Sequence, residues 1–182
     1  MLSRRMYATT GTANMVMTLQ IEGASLSAAE SWNAFVSARA NLVARMELAT
    51  CDGCDDCGIR CLEGIAVTRS EYDAVTTKFA GLPHEMQRRI LGEEKTVPWP
   101  GAEDSGATMT WCRYRDQERD NCSVYSERPT VCRLFGHTDW LPCPTGAVTK
   151  FATGTDGVWN VYREFERRTW AEWDNAIETG SI

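Results

Sequence analysis

The stretch Cys51-Asp-Gly-Cys-Asp-Asp-Cys-Gly-Ile-Arg-Cys61 places four thiols within eleven residues, at the spacing C-x2-C-x2-C-x3-C. Two residues between cysteines let a turn aim both sulfurs at one point, as a metal ion or a cluster requires. Gly53 and Gly58 permit the positive φ values that such a wrap needs. Thiols this dense predict metal or cluster ligation rather than packing as small hydrophobic side chains.

A second group of cysteines follows, with nine, nine and ten residues between them: Cys112, Cys122, Cys132 and Cys143. An even number of cysteines also fits a disulfide framework in a secreted domain. However, the N-terminus shows no apolar core before a small-residue cleavage site. A chain of 182 residues can also build a core without disulfides. We therefore expect metal ligation by all eight cysteines: Cys51, Cys54, Cys57, Cys61, Cys112, Cys122, Cys132 and Cys143.

Composition indicates a globular chain with a net charge of −6, a pI near 5.0 and a mean hydropathy of −0.36. The basic residues are scattered among acids, so we expect no nucleic-acid partner. No apolar run has the length of a membrane span, so we expect none. The expected organisation is an N-terminal tail over residues 1–23 and a single domain over 24–182, with the cysteine cluster at 51–143 as its core.

The first 23 residues carry Arg4 and Arg5 and have no acidic residue before Glu22. This composition resembles that of an organellar transit peptide, and a flexible tail is the alternative. Clustered thiols predict a reducing compartment. We therefore expect the cytoplasm or another reducing compartment, with mitochondrial import as the alternative.

Hydrophobic periodicity predicts helices on both sides of the cysteine groups. Two capping boxes, Ser27-x-x-Glu30 and Thr68-x-x-Glu71, mark helix starts. Pro83 and Pro129 are placed to open two short helices. The predicted helices cover residues 27–48, 69–79, 83–92, a turn after Pro129 that carries Cys132, and 158–177.

Strands are predicted over residues 65–67 and 108–114, the latter paired with 122–125 through a hairpin turn at 116–121. Residues 93–107 are predicted to form a surface loop because prolines and glycine cluster there. The predicted fold class is therefore α+β: a small cysteine-rich metal-binding domain with flanking amphipathic helices and a short β-hairpin.

The segment Cys122-Ser-Val-Tyr-Ser-Glu-Arg-Pro-Thr-Val-Cys-Arg-Leu-Phe135 resembles the signature C-x-[IV]-Y-x-x-R-P-x-x-C-R-x-F of the YkgJ-like cysteine-cluster family. Upstream, Cys54-Asp-Asp-Cys57-Gly and the helix start at Thr68-x-x-Glu71 also resemble that family. The family usually shows C-x-x-C-G-x-C-C, and this chain has one residue more before Cys61. Its members are described as zinc- or iron-chelating domains, and a related cysteine domain occurs in flagellin lysine N-methylases. The resemblance covers residues 51–143 and implies metal binding by the cysteines, without a particular reaction.

The spacing of the first quartet is that of the bacterial ferredoxin run, and Pro144 follows Cys143 as proline follows a remote ferredoxin ligand. These features favour an iron–sulfur cluster of the 4Fe–4S type. Zinc is the alternative, because four thiolates also form a closed tetrahedral site. Two ligand partitions are open. In the sequential one each group of four holds one centre. In the crossed one, which we favour, Cys143 completes the set of Cys51, Cys54 and Cys57, and Cys61 joins Cys112, Cys122 and Cys132.

Four arginines near cysteines could offset the negative charge of thiolates: Arg60, Arg113, Arg128 and Arg133. Of these, Arg128 and Arg133 are the candidate cofactor-binding residues, since both lie in the signature segment. His137 lies between Cys132 and Cys143 and is expected to be a neighbour of the site rather than a ligand.

Two classes of function fit this sequence. The first is a non-catalytic metalloprotein: an electron-transfer module, or an accessory subunit that binds a protein partner through its Trp-rich helices. The second is an enzyme that resembles flagellin lysine N-methylase. No catalytic residues are predicted, because no recognisable catalytic motif is found. We therefore favour the first class.

Overall fold

Six α-helices and four short strands form the part of the chain that the structure, a computed structural model, describes: residues 28–46, 57, 61–99 and 101–181. The helices are α1 (Ala28–Val43), α2 (Arg69–Ala80), α3 (His84–Gly92), α4 (Thr130–Leu134), α5 (Thr155–Tyr162) and α6 (Trp170–Glu178). The strands are β1 (Thr96–Pro98), β2 (Thr108–Thr110), β3 (Arg115–Asp116) and β4 (Asn121–Cys122). The α+β fold class is confirmed. The predicted tail, Ser27 and the cysteines Cys51 and Cys54 lie outside the described residues.

Helix α2 begins and ends where its local sequence signals predict. Thr68 and Glu71 form the capping box, in which each side chain accepts from the backbone amide of the other residue. Gly81 follows the last helical residue and donates its amide to Phe79 and Thr77 carbonyls. The face at the predicted spacing is buried, and it includes Val75 with no exposed surface. The helix prediction for this segment is confirmed.

The predicted C-terminal helix over 158–177 is wrong, because the chain forms two helices there. Between α5 and α6, Arg168 pairs with Val67 in an antiparallel bridge, with N···O distances of 2.9 and 3.0 Å. A capping box of Thr169 and Glu172 then opens α6. This extended segment interrupts the helix. The predicted strand at 65–67 is also wrong, since only the single bridge at Val67 forms there.

The predicted strand pairing is also wrong in part. Strand β2 pairs with β1, with Val97 opposite Met109, so the predicted loop at 93–107 contributes a strand. The expected hairpin forms further along the chain, where β3 pairs with β4 and Arg115 lies opposite Cys122. Its turn contains Asp120, which has a positive φ of 56°. Each sheet has only two strands, so their stability depends on packing against the helices.

The larger core cluster joins α2, α3 and α6 to the segment that carries the cysteines. Trp170 and Trp173 are each 1% exposed, and the Trp173 Nε1 donates to the Val67 carbonyl at 2.9 Å. Cys112 is a member of this cluster, and Cys61 and Cys122 pack against it. Three of the thiols therefore lie at the same hydrophobic core that holds the helices together.

Helix α1 packs on α5 through aromatic rings. Phe35 lies 5.7 Å from Tyr162 and 5.4 Å from Phe165, measured between ring centroids. Leu42 of α1 and Met46, three residues past the end of α1, pack with Leu134 of α4 in a second, smaller cluster. Among the described residues, no helix is both long and apolar enough to cross a membrane.

Candidate metal centre

Cys61 and Cys112 are joined by both backbone and side chain. The Cys112 amide donates to the Cys61 carbonyl at 2.7 Å. Interaction with the Cys61 side chain, followed by burial, raises the pKa of the Cys112 thiol well above its ordinary value. Cys112 is only 6% exposed. The segment after β2 therefore brings the last cysteine of the first group onto the first cysteine of the second.

Cys122 and Cys132 extend this pair to four thiols. Cys122 lies in β4, where burial raises its pKa to about 11 and the nearby Cys112 acts in the same direction. Cys132 lies in α4 and has a strongly raised pKa. Burial is the main cause, and the nearby Cys112 and Cys122 act in the same direction. None of Cys61, Cys112, Cys122 and Cys132 forms a disulfide. Cys112 lies within electrostatic range of each of the other three, and we call the four the core thiols.

Burial disfavours the charged thiolate form of Cys112, Cys122 and Cys132, whereas a bound metal favours it, because the thiolate is the metal ligand. Binding of metal at the core thiols therefore requires release of protons. Among the described residues, no three Cys, His, Asp or Glu side chains form a group that could hold a metal ion as they lie. Cys51 and Cys54 are outside the residues so described.

Cys143 has a different environment from the core thiols. Its sulfur lies 3.2 Å from the Thr145 hydroxyl oxygen. That hydrogen bond, with backbone amides of Val148, Thr145 and Ala147, lowers the pKa of Cys143 to about 7. The turn after the cysteine thus surrounds one sulfur with N–H and O–H donors, which favour its thiolate form. No core thiol contributes to the shift of the Cys143 pKa.

A buried carboxylate links the helix that carries Cys132 to the rest of the fold. Glu71 Oε1 accepts from the Thr130 amide and hydroxyl, both at 2.7 Å. Because Pro129 supplies no side-chain cap to α4, Glu71 satisfies an amide at the start of that helix. Glu71 Oε2 accepts from the Tyr162 hydroxyl at 2.5 Å, and Arg39 of α1 forms an ion pair with Oε1 at 3.4 Å.

Sequence reasoning identified Glu71 only as the capping residue of α2. Its bonds to Thr130 and Tyr162 span 59 and 91 positions of the chain, and no local signal predicts partners so distant. The bonds to Thr130 connect two stretches that carry the family resemblance, the helix start at Thr68 and the signature segment around Pro129.

The two candidate cofactor-binding arginines have different surroundings. Arg128 stacks on the Tyr125 ring at 3.5 Å and acts on the pKa of both Cys122 and Cys132 in the direction opposite to burial. Arg133 donates its Nε to the Arg128 carbonyl at 2.7 Å and its Nη2 to the Ser126 carbonyl. Arg133 thus holds the turn that presents Arg128. Contact of either with a cofactor stays a prediction.

Arg113 and His137 also have defined places. Arg113 is held between Glu63 and Asp174, with ion-pair distances of 2.8 and 2.5 Å. His137 is 3% exposed, and burial followed by Arg128 lowers its pKa. Of the remaining sequence candidates, Cys57 is half-buried, and Cys51, Cys54 and Arg60 lie outside the described residues.

Buried guanidinium groups beside the core thiols suit a negatively charged metal–thiolate centre. Nε of Arg128 and both Nε and Nη1 of Arg115 are buried and have no hydrogen-bond partner. Both cations act on Cys122 against the effect of burial. Because buried N–H donors are nearly always paired, these atoms fit a nearby acceptor such as a metal-bound thiolate. The donor set therefore fits a soft metal or a cluster.

Comparison with protein families gives one match for this arrangement. The profile of the CxxCxxCC family, described as "Putative zinc- or iron-chelating domain", matches residues 50–158, which is more than half of the chain. The chain belongs to this family. The CxxCxxCC match includes all eight cysteines and extends through Val158 in α5. No curated protein and no solved structure matches the chain significantly.

Proposed function

We propose that this CxxCxxCC protein binds iron–sulfur clusters of the 4Fe–4S type through its eight cysteines and serves as an electron-transfer or accessory protein. The core thiols are the main support. Cys61, Cys112 and Cys122 lie at the larger hydrophobic core cluster, and Cys132 interacts electrostatically with Cys112 and Cys122. Arg115 and Arg128 beside Cys122 have buried N–H donors without a partner. Membership of a family described as zinc- or iron-chelating supports a metal as the common ligand.

Iron–sulfur is favoured over zinc by the ligand pattern. The run Cys51-x2-Cys54-x2-Cys57 and the pair Cys143-Pro144 have the ferredoxin spacing and the proline that follows the remote ligand. Structural zinc sites instead combine two well-separated C-x2-C pairs. We treat zinc as the alternative outcome of the same experiment.

We further propose the crossed partition of the ligands. The backbone hydrogen bond from the Cys112 amide to the Cys61 carbonyl, and the electrostatic effects among Cys112, Cys122 and Cys132, support one centre that takes the core thiols. The separate environment of Cys143 supports its assignment to a second centre with Cys51, Cys54 and Cys57.

Anaerobic purification with measurement of iron, acid-labile sulfide and zinc tests the proposal. Iron and sulfide in equal amounts, with a broad visible absorbance that bleaches on reduction, are expected for 4Fe–4S clusters. Stoichiometric zinc in a colourless protein would replace iron–sulfur by the alternative. Metal-free protein with oxidised disulfides would refute metal binding altogether.

The electron-transfer or accessory role requires a protein partner, and we propose one. Trp170 and Trp173 are almost completely buried in the core, so the partner would contact other aromatic side chains. Trp140 is 37% exposed and lies 4.9 Å from the Trp159 ring of α5. Crosslinking in cells with a photoreactive residue at position 140 tests this role, and the absence of any specific crosslinked protein would count against it. We also propose a reducing compartment as the location, because such compartments keep clustered thiols reduced.

A further inference from the structure

Arg115 is a buried cation whose charge is only partly offset by the described residues. Its side chain is 7% exposed, and Nη2 donates to Asp120. The other two guanidinium nitrogens, Nε and Nη1, are buried without a hydrogen-bond partner. Burial of a guanidinium is costly unless its charge and its donors are satisfied.

Asp120 alone does not account for this burial. Its side chain is 73% exposed, and an ion pair with a carboxylate in water contributes little. Arg113, two residues away, shows the usual solution, because Glu63 and Asp174 bind it from two sides. Among the described residues, no second carboxylate forms an ion pair with Arg115.

The position of Arg115 points to the missing anion. Arg115 lies directly opposite Cys122 in the pairing of β3 with β4. Side chains of directly opposed residues lie on the same face of an antiparallel pair, with Cβ atoms about 5 Å apart. The Trp111 ring, 4.4 Å from the guanidinium carbon, holds the cation in place. Trp111 is in turn the neighbour of Cys112 in the sequence.

We propose that Arg115 donates from Nε or Nη1 to the metal-bound sulfur of Cys122 and offsets the charge of the thiolate centre. This inference rests on the proposed function, but it holds for iron–sulfur and for zinc alike, since four thiolates outweigh the charge of either centre. Arg115 is then a positioning residue that acts through a ligand. It adds a third arginine to the two predicted from the signature segment.

Metal retention against a chelator, measured on the full-length protein, tests this role in three variants. Arg115→Gln removes the cation. Asp120→Asn removes the surface ion pair but keeps Arg115, and asparagine tolerates the positive φ of 56° at this position. Arg119→Gln removes an exposed arginine of the same hairpin, 62% exposed, and controls for net charge.

We expect Arg115→Gln to lose metal at a chelator concentration about tenfold or more below that for the wild type, the usual effect of removing a partner of a metal ligand. Asp120→Asn and Arg119→Gln should behave like the wild type. Retention by Arg115→Gln equal to the wild type overturns the inference. So does an equal loss in Asp120→Asn, because Arg115 would then act only through the surface pair.

A variant with an intact cation covers the case in which Arg115→Gln does not fold. Arg115→Lys keeps the charge but loses the forked donors. Loss of metal at a chelator concentration about threefold below that for the wild type, an effect between none and the full one, supports donation. No loss in Arg115→Lys, together with an unfolded Arg115→Gln, overturns it. Wild-type protein that binds no metal refutes the proposed function itself, which distinguishes that failure from failure of this inference.

Discussion

Replacement of Glu71 by glutamine tests whether its buried carboxylate holds the fold together. Each carboxylate oxygen accepts from three donors: Oε1 from Arg39 and from the amide and hydroxyl of Thr130, and Oε2 from Tyr162 and from the amide and hydroxyl of Thr68. The glutamine NH₂ group is itself a donor, so three donors lose their acceptor whichever way the amide lies.

The loss of free energy of unfolding depends on which of these donors can find another acceptor. Hydroxyl groups can turn to other acceptors, but a backbone amide cannot, and a buried unpaired amide costs about 1–3 kcal/mol. Loss of the charge weakens the remaining bonds by a further 1–2 kcal/mol or so. We therefore expect Glu71→Gln to lower the free energy of unfolding by about 3 kcal/mol, which lowers Tm by about 10 °C for a chain of this size.

Thermal unfolding followed by circular dichroism, at one fixed metal loading, measures this effect. Glu172→Gln is the matched control, because Glu172 occupies the same capping-box position in α6 and lies at the surface. Among the described residues, only Thr169 donates hydrogen bonds to its carboxylate. Glutamine serves nearly as well as glutamate at that position. We expect the control to shift Tm by no more than about 2 °C. Equal shifts in the two variants would refute the argument that Glu71 acts beyond its cap.

Three further predictions concern the metal and the surface. Removal of metal by chelation is expected to lower Tm by more than about 10 °C, since core ligands couple binding to folding, and an unchanged melting curve contradicts this. Under the crossed partition, Cys132→Ser and Cys143→Ser should each remove about half of the bound iron and the double variant nearly all of it; a double variant equal to either single one argues for a shared centre. Asp116→Asn is expected to lower stability by about 3 kcal/mol at pH 7, because Asp116 is fully buried and paired with Arg89 at 2.6 Å. The Arg89 hydrogen bond lowers the pKa of Asp116, so the pair's contribution is complete above the ordinary carboxyl pKa and is lost as pH falls through the lowered one. Urea unfolding should therefore show the difference between wild type and Asp116→Asn shrinking below pH of about 4, and a constant difference would contradict it.

Helix positions were predictable where local signals agree. For α2, the capping box at Thr68, the inward spacing of Tyr72 and Val75, and Gly81 all indicate the same segment, and the structure confirms it. The break between α5 and α6 was missed although its signal is also local. Thr169-x-x-Glu172 is a capping box within an otherwise helical pattern, and it outweighed the periodicity that suggested one continuous helix.

Strand pairing was not predictable from the local sequence. β2 pairs with a segment whose prolines suggested a loop, and Pro98 is accepted there because each sheet has only edge strands. The same limit applies to the site. Spacing indicated that the cysteines bind metal, but the contact of Cys61 with Cys112 and the place of Arg115 depend on distant packing that spacing does not encode.

The burial of Cys112 also bears on how the protein would be matured. A proposed ligand that is 6% exposed and belongs to the hydrophobic core cannot be reached by a donor that carries iron or zinc to the surface of the finished fold. Delivery would have to precede closure of α6 over this segment, or wait for local unfolding to open it. The order of synthesis fits the first route, because all eight cysteines leave the ribosome before Trp170 and Trp173 complete the core. Once closed, the protein would exchange its metal no faster than that part of the core opens.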